Sequence, residues 1–142
     1  MQHQLELAIQ IAVKAHAGQV DKQDKPYILH PLAVMLAVAR HGMNAQMVAV
    51  LHDVVEDTSV TLDDLREQGI PGIVVAAVDA ITKRPEEKYE SYLSRVRVND
   101  LALAVKFEDI KHNMSRLTHL EPEHAGYLAK KYTRALQFFG MA

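Results

Sequence analysis

Residues 100–118 read DLALAVKFEDIKHNMSRLT, and the choice between strand and helix here decides the fold class. Apolar and polar residues alternate only weakly from Leu101 to Phe107. The alanines there, and a stripe of Leu103, Phe107, Ile110, Met114 and Leu117 spaced four and three apart, mark a helix instead. Asp100 is its candidate N-cap, and Glu108, Lys111, Ser115 and Thr118 fall on a polar face. At a helical step of roughly 100° per residue, Asp109 and Asn113 lie together between the two faces, beside the apolar stripe. A carboxylate and an amide so placed can point into a cleft.

Helical spacing recurs on both sides of this segment. Leu5, Ile9, Ala12 and His16 share one face of a first helix, which Gly18 stops. VDKQDKPYILHP (residues 20–31) is polar, aperiodic and carries two prolines, so it reads as an ordered loop delivering His30 to the next helix, with Pro31 in the first turn. Residues 32–39 and 45–51 are apolar on nearly every face and are separated by Arg40-His41-Gly42, the pattern of two buried helices. The second runs directly into His52-Asp53 and, on a continuing helix, Glu56-Asp57. Thr61 with Asp64 resembles a capping box opening a short helix that ends near Gly69, and Pro71 begins another that reaches about Ile81. Pro85-Glu86-Glu87 is expected to start a helix carrying Tyr89, Tyr92, Leu93 and Val96. The last segment, from about Glu123 to Phe139, carries Leu128, Tyr132, Ala135, Leu136 and Phe139. The expectation is an all-α fold of about seven or eight helices, without internal repeats.

The totals narrow the classes of function. A chain of 142 residues, 49% hydrophobic and 24% charged, is expected to form one globular domain, residues 1–142, and not a disordered or low-complexity segment. Sixteen basic against 18 acidic side chains give a formal charge of −2, with no broad electrostatic footprint for nucleic acid or an anionic membrane. With no cysteine, disulfides, thiolate ligands and a cysteine nucleophile are all excluded, so any metal ligands must be nitrogen or oxygen. The absence of a signal-like start or a long apolar run leads to an expectation of a cytoplasmic protein.

Eight histidines invite a metal hypothesis, and position must decide it. His52-Asp53, at the end of a buried helix, supplies an imidazole and a carboxylate side by side. Taken alone, such a dipeptide is more often a hydrogen-bonded core pair. His30 and Asp109 bring the set to two histidines and two carboxylates, which suits manganese, iron, zinc or magnesium, and such an ion makes water a ready nucleophile for phosphate esters. Glu56 and Asp57 crowd the same helix end, where like charges are costly unless a cation compensates them. Lys106 and Arg116 flank this site and could meet phosphate. His16 sits on an apolar face and suits a buried hydrogen bond as well as a substrate contact; His112 is open in the same way beside Asn113. His3, His41, His119 and His124 read as surface residues.

Three stretches, AHAGQVDKQDKPYILHP, LHDVVEDT and KFEDIKHN, occur in the order and with spacing similar to those of the hydrolase domain of the RelA/SpoT family, which degrades the alarmone (p)ppGpp. The resemblance covers almost the whole chain. It implies an α-helical bundle of the HD superfamily, one manganese ion, and removal of the 3′-pyrophosphate of (p)ppGpp; the length leaves no room for a synthetase domain and implies a small stand-alone hydrolase. Carried over position by position, it gives His30, His52, Asp53 and Asp109 the metal role. Glu56 and Asp57 orient or deprotonate the attacking water, and Lys22, Tyr27 and Asn113 lie near the nucleotide and its phosphates.

Two departures bear on the substrate, because Asp21 and Ile110 stand where the family usually has arginine. Each removes positive charge, and Asp21 should weaken an anionic ligand nearby. Another nucleotide phosphate, such as NADPH or a nucleoside mono- or polyphosphate, is therefore an alternative substrate. A non-catalytic alarmone sensor is a further alternative, although a degenerate scaffold is expected to have lost one of the four ligands or the Glu56-Asp57 pair, and all six residues are in place.

Overall fold

The computed structural model describes residues 2–140. Among them are α1 (Gln2–Ala15), α2 (Leu29–Ala37), α3 (Met43–Leu51), α4 (Val54–Asp57), α5 (Leu62–Glu67), α6 (Gly72–Ile81), α7 (Tyr89–Arg97), α8 (Asp100–Ser115) and α9 (Pro122–Phe138), with 3₁₀ turns at Ala39–His41 and Leu117–His119. The described residues form no strand, only an isolated bridge between Val20 and Pro26, so the all-α expectation holds. No described helix is long and apolar enough to cross a membrane.

The near-continuous apolar reading of residues 45–51 has a simple physical outcome. α3 is the central helix, packed by α1, α2, α6 and α8, and Val48, Val50 and Leu51 are fully buried. Each such side chain contributes roughly 1.5–3 kcal/mol relative to leaving it in water. The helix ends at His52 because the Ala49 carbonyl accepts from both the His52 backbone N–H (3.4 Å) and the His52 ring Nδ1–H (2.6 Å). The expected continuing helix is therefore broken, and α4 is a separate single turn, which takes the expected eight elements to nine α-helices among the described residues.

Local signals set the other boundaries, with three corrections. Thr61 and Asp64 form the capping box, with reciprocal bonds of 3.1 and 2.9 Å. α5 closes in a Schellman motif: Ile70 N–H reaches Leu65 O, Gly69 N–H reaches Arg66 O, and Gly69 takes φ 96°. α7 starts at Tyr89 and not at Pro85; residues 83–88 form a loop that Glu87 ties to Arg95 and Arg84. Asn99 and not Asp100 caps α8, its Oδ1 accepting from Ala102 N–H at 3.0 Å.

The third correction concerns the faces of α8. It packs against α2, α3, α6, α7 and α9, so it has little purely polar surface. Ala102, Val105 and Ile110 are buried, and Glu108, expected on the polar side, is buried under Arg40 (3.4 Å) and Lys111 (3.7 Å). That packing turns Asp109 inward, against the ends of α2 and α3.

Candidate metal centre and the adjoining cavity

Four candidate ligands come from two helices and one helix break. His30 is the second residue of α2, inside its first turn and not in the loop; His52 follows α3, Asp53 sits in the break before α4, and Asp109 is in the middle of α8. Their ligand atoms converge. His30 Nε2 lies 2.8 Å from Asp109 Oδ1, and His52 Nε2 lies 3.2 Å from that same oxygen. Asp53 Oδ2 is 3.0 Å from His52 Nε2 and 4.0 Å from His30 Nε2. His30, His52 and Asp109 are the tightest group, all buried, and Asp53 joins from a side that is 19% exposed.

This donor set fits a divalent cation. Bonds of about 2.0–2.2 Å put neighbouring ligand atoms roughly 3 Å apart and opposed ones about 4 Å apart, the range observed. The outer ring nitrogens also suit the task. The Ala49 carbonyl can only accept, so His52 carries its proton on Nδ1 and, when neutral, turns a lone pair inward from Nε2. His30 Nδ1 is 2.7 Å from His112 Nδ1, and donation from His30 to His112 turns the His30 Nε2 lone pair inward as well.

Electrostatics point the same way. Burial works against charge on His52, yet Asp53 and Asp109 overcome it and hold its pKa well above the ordinary value. Burial opposes charge on Asp109 too, but Lys106, His52 and His30 keep it well below the carboxylate range; Asp53 is likewise depressed, with His52 as its main counter-charge. Burial lowers His30. A buried pair of ionised carboxylates sharing one protonated imidazole is a place built to hold positive charge.

Around the four lie partners that act on them. The Tyr27 hydroxyl donates to Asp53 Oδ2, and burial followed by the Asp53 charge raises the phenol pKa. Lys106 Nζ is 3.1 Å from Asp109 Oδ2, and Asn113 Nδ2 donates to Asp109 Oδ1 at 3.3 Å. Glu56 and Asp57, equivalent in the sequence, are unlike here. Glu56 accepts from the Lys83 backbone N–H at 3.0 Å, whereas Asp57 is raised to about 6, by burial first and then by the Asp53 and Glu56 charges.

Beside the centre is a cavity of about 390 Å³, lined among others by Asp21, Lys22, Tyr27, Asn113, Arg116 and Tyr132. Its volume is within the usual range for a small ligand. Four of the five residues expected at the substrate are therefore on its walls; Lys106 is elsewhere, paired with Asp109. Lys22 Nζ contacts His124 Nε2 at 2.9 Å, joining the loop to α9. Asp21 uses Oδ1 to accept from Gln23 N–H and Lys25 N–H, and its Oδ2 lies 3.9 Å from Arg116 Nη1. Arg116 in turn donates to Asn113 Oδ1 at 2.6 Å.

His16 is buried, bonded through Nδ1 to Gln19 at 2.8 Å and packed on Tyr27 at 5.1 Å, while its Nε2 is buried without a partner among the described residues. His3, His41, His119 and His124 are exposed. Sequence reasoning missed the contact of His112 with His30, which no spacing rule signals because the residues are 82 apart. It also missed Tyr132 in the cavity wall, since a tyrosine at helical spacing reads as core.

A helical bundle that gathers two histidines and two aspartates around one point defines a class, the α-helical metal-centre domains with an adjacent small-molecule cavity. Residues 8–106 match the family model described as HD domain, and the chain belongs to the HD-domain family. It is 36% identical over 131 residues to the GTP pyrophosphokinase of Streptomyces coelicolor, covering 84% of this chain and 15% of that protein. It is 34% identical over 134 residues to the guanosine-3′,5′-bis(diphosphate) 3′-pyrophosphohydrolase of Haemophilus influenzae (85% and 20%). With the bifunctional (p)ppGpp synthase/hydrolase SpoT of Escherichia coli it shares 31% over 140 residues (89% and 20%). The chain thus spans a fifth or less of the length of these relatives. The solved structure of a metazoan SpoT ortholog, described as hydrolysing ppGpp and playing a role in starvation responses, matches with a TM-score of 0.83 at 20% identity, covering 96% of this chain and 85% of that one.

Proposed function

We propose that this protein is a cytoplasmic, manganese-dependent nucleotide phosphohydrolase that removes the 3′-pyrophosphate of (p)ppGpp. The convergence of His30, His52, Asp53 and Asp109 beside a cavity of about 390 Å³ carries this reading. Relatives named for (p)ppGpp hydrolysis over 85–89% of the chain support the substrate. A divalent cation held by those four residues would supply the charge that acidifies water and offsets charge building on the phosphoryl oxygens.

The chain's own residues divide the remaining work. Asp57, with a pKa of about 6, is ionised at neutral pH yet basic enough to take a proton from water as its oxygen bonds to phosphorus. The bond from phosphorus to the ribose 3′-oxygen breaks, that oxygen takes a proton, and pyrophosphate and the nucleoside 5′-phosphate part are released. Glu56, anchored on Lys83 N–H, orients the water. Tyr27 and Lys106 position Asp53 and Asp109 through the bonds described, while Lys22, Asn113 and Arg116 meet the nucleotide in the cavity.

The Asp21–Arg116 contact favours a second reading, hydrolysis of a less highly charged nucleotide phosphate, because it offsets a cation on the cavity wall. One experiment separates these readings: release of phosphate and pyrophosphate by metal-stripped protein reloaded with manganese, across ppGpp, pppGpp, NADPH and ordinary nucleotides, with Asp53→Ala as control. Pyrophosphate from ppGpp that disappears in the control supports the alarmone reading. Release only from another nucleotide replaces the substrate, and no release from any sinks the enzyme reading in favour of a sensor.

A further inference from the structure

The cavity that accounts for Asp21, Lys22 and Arg116 leaves a second cluster of charge unexplained. Lys131, on α9, holds its ammonium 4.7 Å from the Tyr89 ring centroid; Tyr89 packs against Tyr92 at 5.9 Å with the rings tilted by 37°; and Lys106 Nζ lies 5.3 Å from the Tyr92 ring and 3.1 Å from Asp109. Lys83 stands in the loop after α6, beside Glu56 on the wall of a second cavity of about 440 Å³. Lys131 and Lys106 thus stand at the two ends of one tyrosine pair, Lys106 is already engaged by Asp109, and Lys83 gives its ammonium to the Arg84 carbonyl at 3.3 Å. Clustered like charge of this kind is unfavourable until an anion arrives.

The tyrosine faces locate that anion's site. A lysine drawn over an aromatic ring is partly stripped of water and is held in place, so it binds a phosphate oxygen with less ordering cost than a free surface lysine. Lys131 responds as such a group should: burial, then repulsion from Lys106 and Lys83, lowers its pKa, and Glu56 offsets this only in part. Its neighbour Tyr132 lines the first cavity. α9 lies outside the residues matched by the HD-domain model, which end at 106.

The geometry points to Lys131, with Lys106 behind it across the Tyr89–Tyr92 pair, as the anchor for the inorganic pyrophosphate end of the substrate. This rests on the hydrolase reading above. It fixes the direction in which the substrate lies: base and ribose toward Tyr27 and Arg116, and the group to be released toward Glu56 and Lys131.

The test is equilibrium dialysis of labelled inorganic pyrophosphate against the manganese-loaded protein, comparing wild type, Lys131→Gln, Lys131→Arg and, as control, the exposed Lys130→Gln, with manganese affinity and circular dichroism measured for each. Loss of one charge-assisted contact should weaken pyrophosphate binding about ten- to a hundredfold in Lys131→Gln. Lys131→Arg should retain most of the binding, and Lys130→Gln all of it, with manganese affinity and helicity unchanged throughout. Pyrophosphate binding that is absent in wild type, or equal in wild type and Lys131→Gln, overturns the anchor. The readout needs no turnover, so an anchor lost in Lys131→Gln with no ppGpp hydrolysis refutes only the substrate, and turnover with no change in pyrophosphate binding refutes only the anchor.

Discussion

His112 Nδ1 stands 2.7 Å from Nδ1 of His30, with the two rings stacked at 4.9 Å and 21°. The pairing governs the His30 tautomer: donation from its Nδ1 to His112 leaves the Nε2 lone pair for a cation, whereas without a cation Nε2 donates to the ionised Asp109 Oδ1 at 2.8 Å. Removing an outer partner of this kind typically lowers metal affinity about 10- to 100-fold. His112→Ala is therefore expected to weaken manganese binding by that order, with helicity retained. Titration of manganese followed by electron paramagnetic resonance checks it, and an unchanged affinity would mean His30 is oriented by packing alone.

Much of the bundle was legible from periodicity, because α1, α6 and α9 each present their apolar residues as the 3.6-residue repeat requires, while α3 was legible as a continuous apolar run. What the sequence could not convey is where tertiary contacts override that repeat. Glu108 lies on the side of α8 that looked polar, yet it is buried because Arg40, 68 residues earlier, covers it. α4 separates from α3 because the His52 side chain competes for the Ala49 carbonyl, a choice that depends on ring orientation and not on propensity. The four residues expected at the metal were readable because their side-chain chemistry is costly to bury singly. Lys131 was not, because a lysine on an amphipathic helix is indistinguishable from a solvated one until the ring beneath it is known.

Asp57 differs from Glu56 in being pushed up to about 6, by burial and by the neighbouring Asp53 and Glu56 charges. As the proposed base it must be ionised, so kcat is expected to fall on the acid side, at or below about 6 because a bound cation offsets the Asp53 charge that helps raise it. Asp57→Asn should reduce kcat by about 10²- to 10⁴-fold and abolish that acidic limb. A pH profile of wild type and variant decides it; an identical limb in both removes Asp57 from the base role.

The same residue carries a stability cost that runs opposite to the usual carboxylate. Its folded-state pKa is raised, so the native state binds more protons than the unfolded chain between about 4 and 6, and stability falls as pH rises through that window. Above about 6 the full cost is present, and below about 4 it is gone. In chelator-treated protein Asp57→Asn should raise the melting temperature at pH 8 and leave it unchanged at pH 3.5. A variant no more stable than wild type at pH 8 would show that the carboxylate is not crowded.

Lys106 and Asp109 form a buried ion pair at 3.1 Å, with side chains 16% and 6% exposed. Replacing the lysine by methionine keeps the stem against Tyr92 and removes only the charge that balances Asp109. Breaking a buried pair costs about 3–5 kcal/mol when nothing else compensates. Here His52 also faces Asp109, so the expected loss in metal-free protein is nearer the lower bound, about 3 kcal/mol. Urea denaturation of Lys106→Met with chelator and with saturating manganese separates the contributions. The deficit should shrink when manganese is present, since a cation among the same carboxylates restores the balance, and an equal deficit in both conditions would place the role of Lys106 in packing.

Asp21 is the residue through which this chain tunes its cavity. Its Oδ1 holds the loop by accepting from Gln23 N–H and Lys25 N–H, and its second oxygen faces Arg116. Asp21→Asn keeps an oxygen for the loop bonds and removes the charge, leaving Arg116 free to meet phosphate. Since the carboxylate offsets Arg116 and repels an anionic ligand, KM for ppGpp should fall roughly fivefold with kcat little changed. The effect should be smaller for a nucleoside monophosphate, which carries less charge into the cavity. Steady-state kinetics on both substrates provide the check, and a KM for ppGpp that rises in Asp21→Asn would mean that the carboxylate contacts the base and not the arginine.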